Sequence, residues 1–344
     1  MSNLYCDIDG ITMPLNVSIT NAHGNATAMA TIQCISKTLD IGDPVTIDLG
    51  FEDDHGEVFN GYIKTVTRNI PEDSFTITAQ DKLVQAVDYF IVGPGPDDPY
   101  NYGKGIAAED LVSEVLQLAG LAIDHHDNTN FTFGVNNDVE VNLVSSYDYA
   151  KMIADIVTWS LWCDKDGEIY FSNRKPYIMT GDSGQIGDTT DERASVPITT
   201  LDDFTIINAF HSRDEKELRN RVVVYGEGSI KADDSKATSW DASVPPSGAF
   251  IQVLPDDFYK SVIASYAFIG TQEIADRTAS YNLRLLNRVT NKVSVSCIGN
   301  HIFEPRKIIA LDEPYTGVTG NWYIFGTNLN WSSAGFTAEL DLRL

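Results

Sequence analysis

Residues 74–80 (SFTITAQ) alternate strictly, with Phe75, Ile77 and Ala79 on one face and Ser74, Thr76, Thr78 and Gln80 on the other. A period of two predicts a strand that rests one face on a core and shows the other to water. The pattern recurs in FTAELDLRL, where Phe336, Ala338, Leu340 and Leu342 oppose Thr337, Glu339, Asp341 and Arg343. Residues 44–51 and 57–69 are also rich in strand formers, and Asp53-Asp54-His55-Gly56 and Pro71-Glu72-Asp73 supply the turns between strands. Elsewhere the period becomes helical. KLVQAVDYF predicts a short helix after Asp81, and Leu111, Val115 and Leu118 put a stripe on a helix over 107–119 that Gly120 ends. A strand-like stretch follows at 131–144, and then a helix whose Ser145-x-x-Asp148 reads as a capping box, burying Ala150, Ile153, Ile156 and Val157. Trp162-Cys163-Asp164 and Glu168 to Phe171 predict a hairpin, 220–228 an apolar strand, the next forty residues a long loop, and 271–289 a helix that leads into a strand at 291–298.

The β-rich segments are related to each other. Residues 31–81 and 292–342 align without a gap at an offset of 261, with 11 of 51 positions identical, among them Pro44/Pro305, Gly56/Gly317, Tyr62/Tyr323, Ile63/Ile324 and Phe75/Phe336. Unrelated segments of this composition would share roughly three. The expectation is one β module carried twice, as two separate homologous domains with the same strand order and an inward aromatic at Phe75 and Phe336. Two copies are too few for a solenoid of stacked neighbours. The Gly- and Pro-rich segment 93–105 marks a domain boundary.

Charge narrows the partners. The chain carries 49 acids against 24 bases, a net charge of -25 with no acidic tail, which argues against adhesion to nucleic acid. It suits a surface that nucleic acid must pass without sticking. The N-terminal residues lack a signal-peptide pattern and no apolar run reaches a membrane span, so the expected site of folding is the cytosol. Cys6, Cys34, Cys163 and Cys297 are scattered with no CxxC pair and read as buried thiols.

Chemical motifs are weak. Asp164-x-Asp166-Gly167 lacks the further ligands of a calcium loop and reads as a hairpin turn. His125-His126 has no ligand partner three or four residues away. No nucleophile elbow, zinc-protease helix or phosphate loop is present, and with 49 carboxylates the spacing of any one pair carries no information. No catalytic residue, metal ligand or cofactor is expected.

Taken together, GYIKTVTRNI…SFTITAQD, the insert YDYAKMIADIVTWSLWCDKDGEIYFSNRKP, the strand RNRVVVYGEG and the module VSVSCIGNHIFEPRKIIALDE…NWYIFGTNLNW…GFTAELDLRL resemble the baseplate or tail hub proteins of bacteriophages. These include the late control protein D family and the hub part of VgrG spike proteins. The resemblance implies a mainly β fold with an α/β insert: two tail-tube-type β-barrel or β-sandwich domains (1–92 and 204–344) flanking an α+β domain (93–203). It implies a homotrimeric ring of pseudo-sixfold symmetry that joins the tail tube to the spike and lines the DNA conduit. The implied partners are a tail tube or distal tail protein, baseplate wedge proteins, a spike on a separate chain and the end of a tape-measure protein, within a virion assembled in host cytoplasm. DNA would pass without specific binding, over a polar, net acidic wall whose first candidates are Ser74, Thr76, Thr78, Gln80, Thr337, Glu339 and Asp341. The competing expectation is a tail-associated cell-wall hydrolase or a glycan-binding adhesin using Trp322 and Trp331.

Overall fold

Two strands joined by a tight turn at Asp9-Gly10, β1 (Leu4–Ile8) and β2 (Ile11–Ala22), pair with different neighbours. β1 pairs with β4 (Pro44–Phe51), and β2 with β3 (Met29–Lys37). With β5 (Asp54–Asn69) and β6 (Ser74–Asp81) the path runs β1-β4-β5-β6-β3-β2. Its two ends are joined by that turn, so the path must curl back on itself and enclose its apolar face. The computed structural model describes residues 3–93, 98–126, 128–129, 131–134, 138–157, 159–172, 197–213, 219, 221–226, 231–234, 260–265, 269, 272, 275–276, 278–279, 282, 291–313 and 318–343.

The order is repeated. β7 (Thr200–Leu201), β8 (Ile206–Arg213), β9 (Asn291–Ile298), β10 (Ile308–Glu313), β11 (Val318–Ser332) and β12 (Gly335–Arg343) pair as β7-β10-β11-β12-β9-β8. One difference is that β7 runs parallel to β10 whereas β1 is antiparallel to β4. The two paths are not separate sheets: β2 also pairs with β11, from Asn16 opposite Ser332 to Ala22 opposite Gly326. A single sheet of 12 strands results, and the apolar faces of both paths belong to one core.

The ungapped alignment fails in register. The cross-strand row Val66–Ile77–Ile32–Val17 has its counterpart in Thr327–Leu340–Val295–Ala209. Only the first pair of that row keeps the offset of 261, as do the bulges at Ile63/Thr65 and Ile324/Gly326. The slip arises at the turns, since Asn69 and Ser74 close a hairpin over four residues but Ser332 and Gly335 close theirs over two. Pro44 lies opposite Tyr62, and the residue opposite Tyr323 is Ile308, so Pro44 and Pro305 are not equivalent. Phe336 is buried, and Phe75, half-buried with the Lys37 ammonium 5.6 Å from its ring, packs against the same core, so both aromatics of the expected pair face inward.

Between the paths lie α1 (Val84–Asp88), α2 (Ala108–Leu118), α3 (Ser146–Ile156) and a hairpin of Ser160–Cys163 with Ile169–Ser172. Ser145 caps α3 by accepting from the Asp148 amide at 3.0 Å. The stretch 131–144 forms short paired pieces rather than one strand. The helices share a second core that also takes in Val222, Val224, Ile269, Ala275 and Ala279. Part of the expected long loop is strand: Lys231–Asp234 and Ser261–Ser265 flank Arg221–Tyr225. Residues 235–259, most of 181–203, positions 94–97 of the Gly/Pro segment and most of the expected helix 271–289 lie outside the described residues; 272, 275, 276, 278, 279 and 282 are helical. The 203/204 boundary falls inside the second path, between β7 and β8.

Candidate assembly and conduit surfaces

Residues directly opposite in neighbouring strands share a face. Followed from strand to strand, Thr65–Thr78–Thr31–Ser18–Asn330–Thr337 forms one row across both paths. Gln80–Met29–Thr20–Asn328–Glu339–Ser296 forms the next. Mostly apolar residues occupy the alternate positions and are buried, so the side of the sheet away from the core is a band made mainly of hydroxyls and amides, on which Met29 and Phe210 are exposed. The side chains also bond each other. The Thr65 and Thr78 hydroxyls are 2.5 Å apart, and Asn69 donates to Thr76 Oγ1 at 2.9 Å. The Asn328 amide spans the junction between paths, accepting from Ser18 Oγ at 3.2 Å and donating to Glu339 Oε2 at 3.3 Å.

Six of the seven residues expected on this face lie on it: Thr76, Thr78, Gln80, Thr337, Glu339 and Asp341. Ser74 does not open to solvent; it is buried at the hairpin end, where Asn69 Nδ2 reaches its hydroxyl at 3.3 Å. Glu339 and Asp341 put carboxylates on this face, and Asp341 is paired with Arg343 at 3.0 Å. The middle of the face is neutral. Sequence reading missed its contributions from β2, β3 and β11, though Asn16 to Asn21 (NVSITN) alternates with the same period as β6.

A second surface joins the insert to the sheet. The Asp164 carboxylate accepts from the amides of Asp166 and Glu168, 3.0 and 2.9 Å away, which makes Asp164-Lys165-Asp166-Gly167 a hairpin turn. That turn touches both paths. Lys82 Nζ donates to the Gly167 carbonyl at 2.7 Å, and the Lys165 amide donates to Glu304 Oε1 at 3.4 Å. Behind it, the His125 and Trp162 rings both stack against Tyr170, and the Arg306 guanidinium lies 4.7 Å from the centre of the Trp162 ring. Burial pulls the Arg306 pKa down and raises the Glu304 and Asp164 carboxyls. The Asp81 carboxyl is pushed up to about 7 by burial, against the opposing pull of the Ala28 and Leu83 amides and of Arg306.

Other candidate chemistry dissolves into packing. His125 bonds Glu168 at 2.8 Å, and among the described residues no group of three His, Cys, Asp or Glu could hold a metal. Trp322 and Trp331 are buried, which removes them as glycan platforms. Burial lifts the Cys6 and Cys297 thiols to about 12 and raises Cys163 further, so these are protonated packing groups. No helix among the described residues is long and apolar enough to cross a membrane.

No family model matches the chain, and no curated protein does. Solved structures match along its whole length. A tail protein from Neisseria meningitidis aligns over 99% of this chain and 95% of its own at 12% identity, with a TM-score of 0.68. The 43 kDa tail protein of prophage MuSo2 from Shewanella oneidensis covers 98% and 97% at 14% identity, with a TM-score of 0.66. The E. coli c3393 protein, described as a type VI secretion component similar to bacteriophage T4 tail proteins, covers 98% of this chain and 76% of its own at 8% identity, with a TM-score of 0.56. The chain has the mainly β fold of these tail proteins.

Proposed function

We propose that the chain is a structural hub of a phage tail or related injection machine, located in the virion baseplate and assembled in the host cytoplasm. The observation that carries this reading is the same six-strand order occurring twice in one continuous sheet. A chain with two like modules gives six module positions when three copies close a ring, so one object presents sixfold geometry to a tube and threefold geometry to a spike. The modules descend from one duplicated unit, made of residues 4–81 and 200–213 plus 291–343. The α-helical insert stands between them. The neutral polar face lines the passage, because a wall of hydroxyls and amides gains little by releasing counterions from DNA and leaves it free to slide. The chain acts through surfaces rather than catalysis, with a tail tube or distal tail protein above, a spike below, and wedge proteins and the tape-measure end as further contacts.

Electron cryomicroscopy of assembled particles tests the reading. Three copies in a ring with six similar modules around a hole are expected. Six copies, or a monomer placed off the tail axis, would overturn it.

A further inference from the structure

The two six-strand paths differ in what lies on their edges. In the second, the outer edge of β11 beyond its bulge, Gly326–Ser332, is covered by β2 of the first path. In the first, the matching edge of β5 beyond its bulge is Thr65–Asn69, and among the described residues no strand pairs with it. The complement of β2 in the second path is β8. Both strands carry a bulge at the same place, between Pro14 and Asn16 and between Ile206 and Asn208, and among the described residues β8 pairs with β9 alone. One chain thus holds one completed joint together with the two halves of another, an open β5 edge and an open β8 edge.

Exposure follows the same division. Within the completed joint Val17, Ile19, Leu329 and Trp331 are buried. Ile70, which takes the place of Trp331 just past β5, is 82% exposed, and Phe210, which takes the place of Ser18, is 67% exposed. Long unpaired edges flanked by exposed apolar side chains are avoided unless something pairs with them.

We propose that β8 of one protomer adds to the β5 edge of the next, repeating between copies the antiparallel joint that β2 and β11 form within the chain. The completed joint fixes the register. Val17 opposite Trp331 becomes Ala209 opposite Ile70, and Ser18 opposite Asn330 becomes Phe210 opposite Asn69. The contact is head-to-tail, so it closes a ring when the rotation per step permits and carries the sheet unbroken through every protomer. This deepens the ring reading above and rests on it.

Paired cysteines test the register, since directly opposed residues in adjacent strands bring their Cβ atoms within about 4.5–5.5 Å, near disulfide distance. Assembled particles carrying Asn69→Cys with Phe210→Cys are oxidised and run on a denaturing gel without reductant, beside the single variants and beside Thr65→Cys with Phe210→Cys, four residues out of register. A covalent ladder ending at the trimer from the in-register pair alone is the expected result. Trimeric rings that stay uncrosslinked, or that crosslink equally with the out-of-register pair, would overturn this joint and leave the ring standing. A register-specific ladder that ends at another number keeps the joint and removes the threefold reading.

Discussion

At Gly61 an added Cβ would lie 2.2 Å from the carbonyl oxygen of Gln80 on the neighbouring strand. Backbone cannot yield cheaply there, so Gly61→Ala is expected to cost about 3 kcal/mol, read as a lower denaturant midpoint with unchanged slope. A different residue requirement appears at the corners. Gly42 has φ +89°, and its amide donates to the Ile63 carbonyl; Arg306 has φ +74° and donates to Ile324 in the same way. The second corner tolerates a strained arginine because its guanidinium packs on Trp162. Asp81 gives the fold a pH dependence. Its folded-state pKa of about 7 exceeds the ordinary 3.8, so the folded protein holds that proton more tightly than the unfolded one. The resulting stability is fully present below about pH 4 and is lost as pH rises through 7. Asp81→Asn is expected to flatten the fall in thermal midpoint across that window relative to the parent protein. At pH 5, where Asp81 is protonated, it should lower stability by about 1–3 kcal/mol, because both oxygens of the carboxyl accept from the Ala28 and Leu83 amides whereas the asparagine NH2 group cannot accept.

Among the elements, the hairpin turn at Asp164–Glu168 is the contact through which the insert feels both halves of the sheet. Gly167 has φ +81°, and a Cβ there would sit 3.1 Å from the Asn60 side chain, so Gly167→Ala should cost about 1–2 kcal/mol. Faster amide exchange across Ser160–Ser172, with β3 and β9 still protected, is the expected signature. The polar sheet face supports a functional prediction. Thr78→Lys with Asn330→Lys, in one cross-strand row of the same face with β3 and β2 between them, should slow DNA release from assembled particles and make it salt-dependent. Unchanged release would remove that face from the passage. How much of this was legible depends on the element. β6, β9 and β12 were readable because strict alternation survives along them, and α3 because Ser145 and Asp148 stand at capping distance. β8 was missed because the bulge after Ile206 breaks its period. β2 was missed although Val17 and Ile19 alternate with Ser18 and Thr20, because Pro14 and a bulge interrupt the run. The register slip was illegible, since identities align residues while turn length decides which residues meet.

The whole molecule is held together by a pairing whose partners are far apart in the chain, with Ser18 and Asn328 separated by 310 positions. At about 5–20 residues per second, the first path is complete roughly 13–50 s before its β2 edge has a partner to receive it. During that interval the nascent protein exposes a finished strand edge with nothing to cover it, and so do its neighbours on the same messenger. The second path has its own delay, because residues 214–290 must be made between β8 and β9. Closure of the sheet is therefore a late event in biogenesis. Crowded polysomes, rather than the finished fold, set the concentration at which these chains begin to pair with one another instead of with themselves.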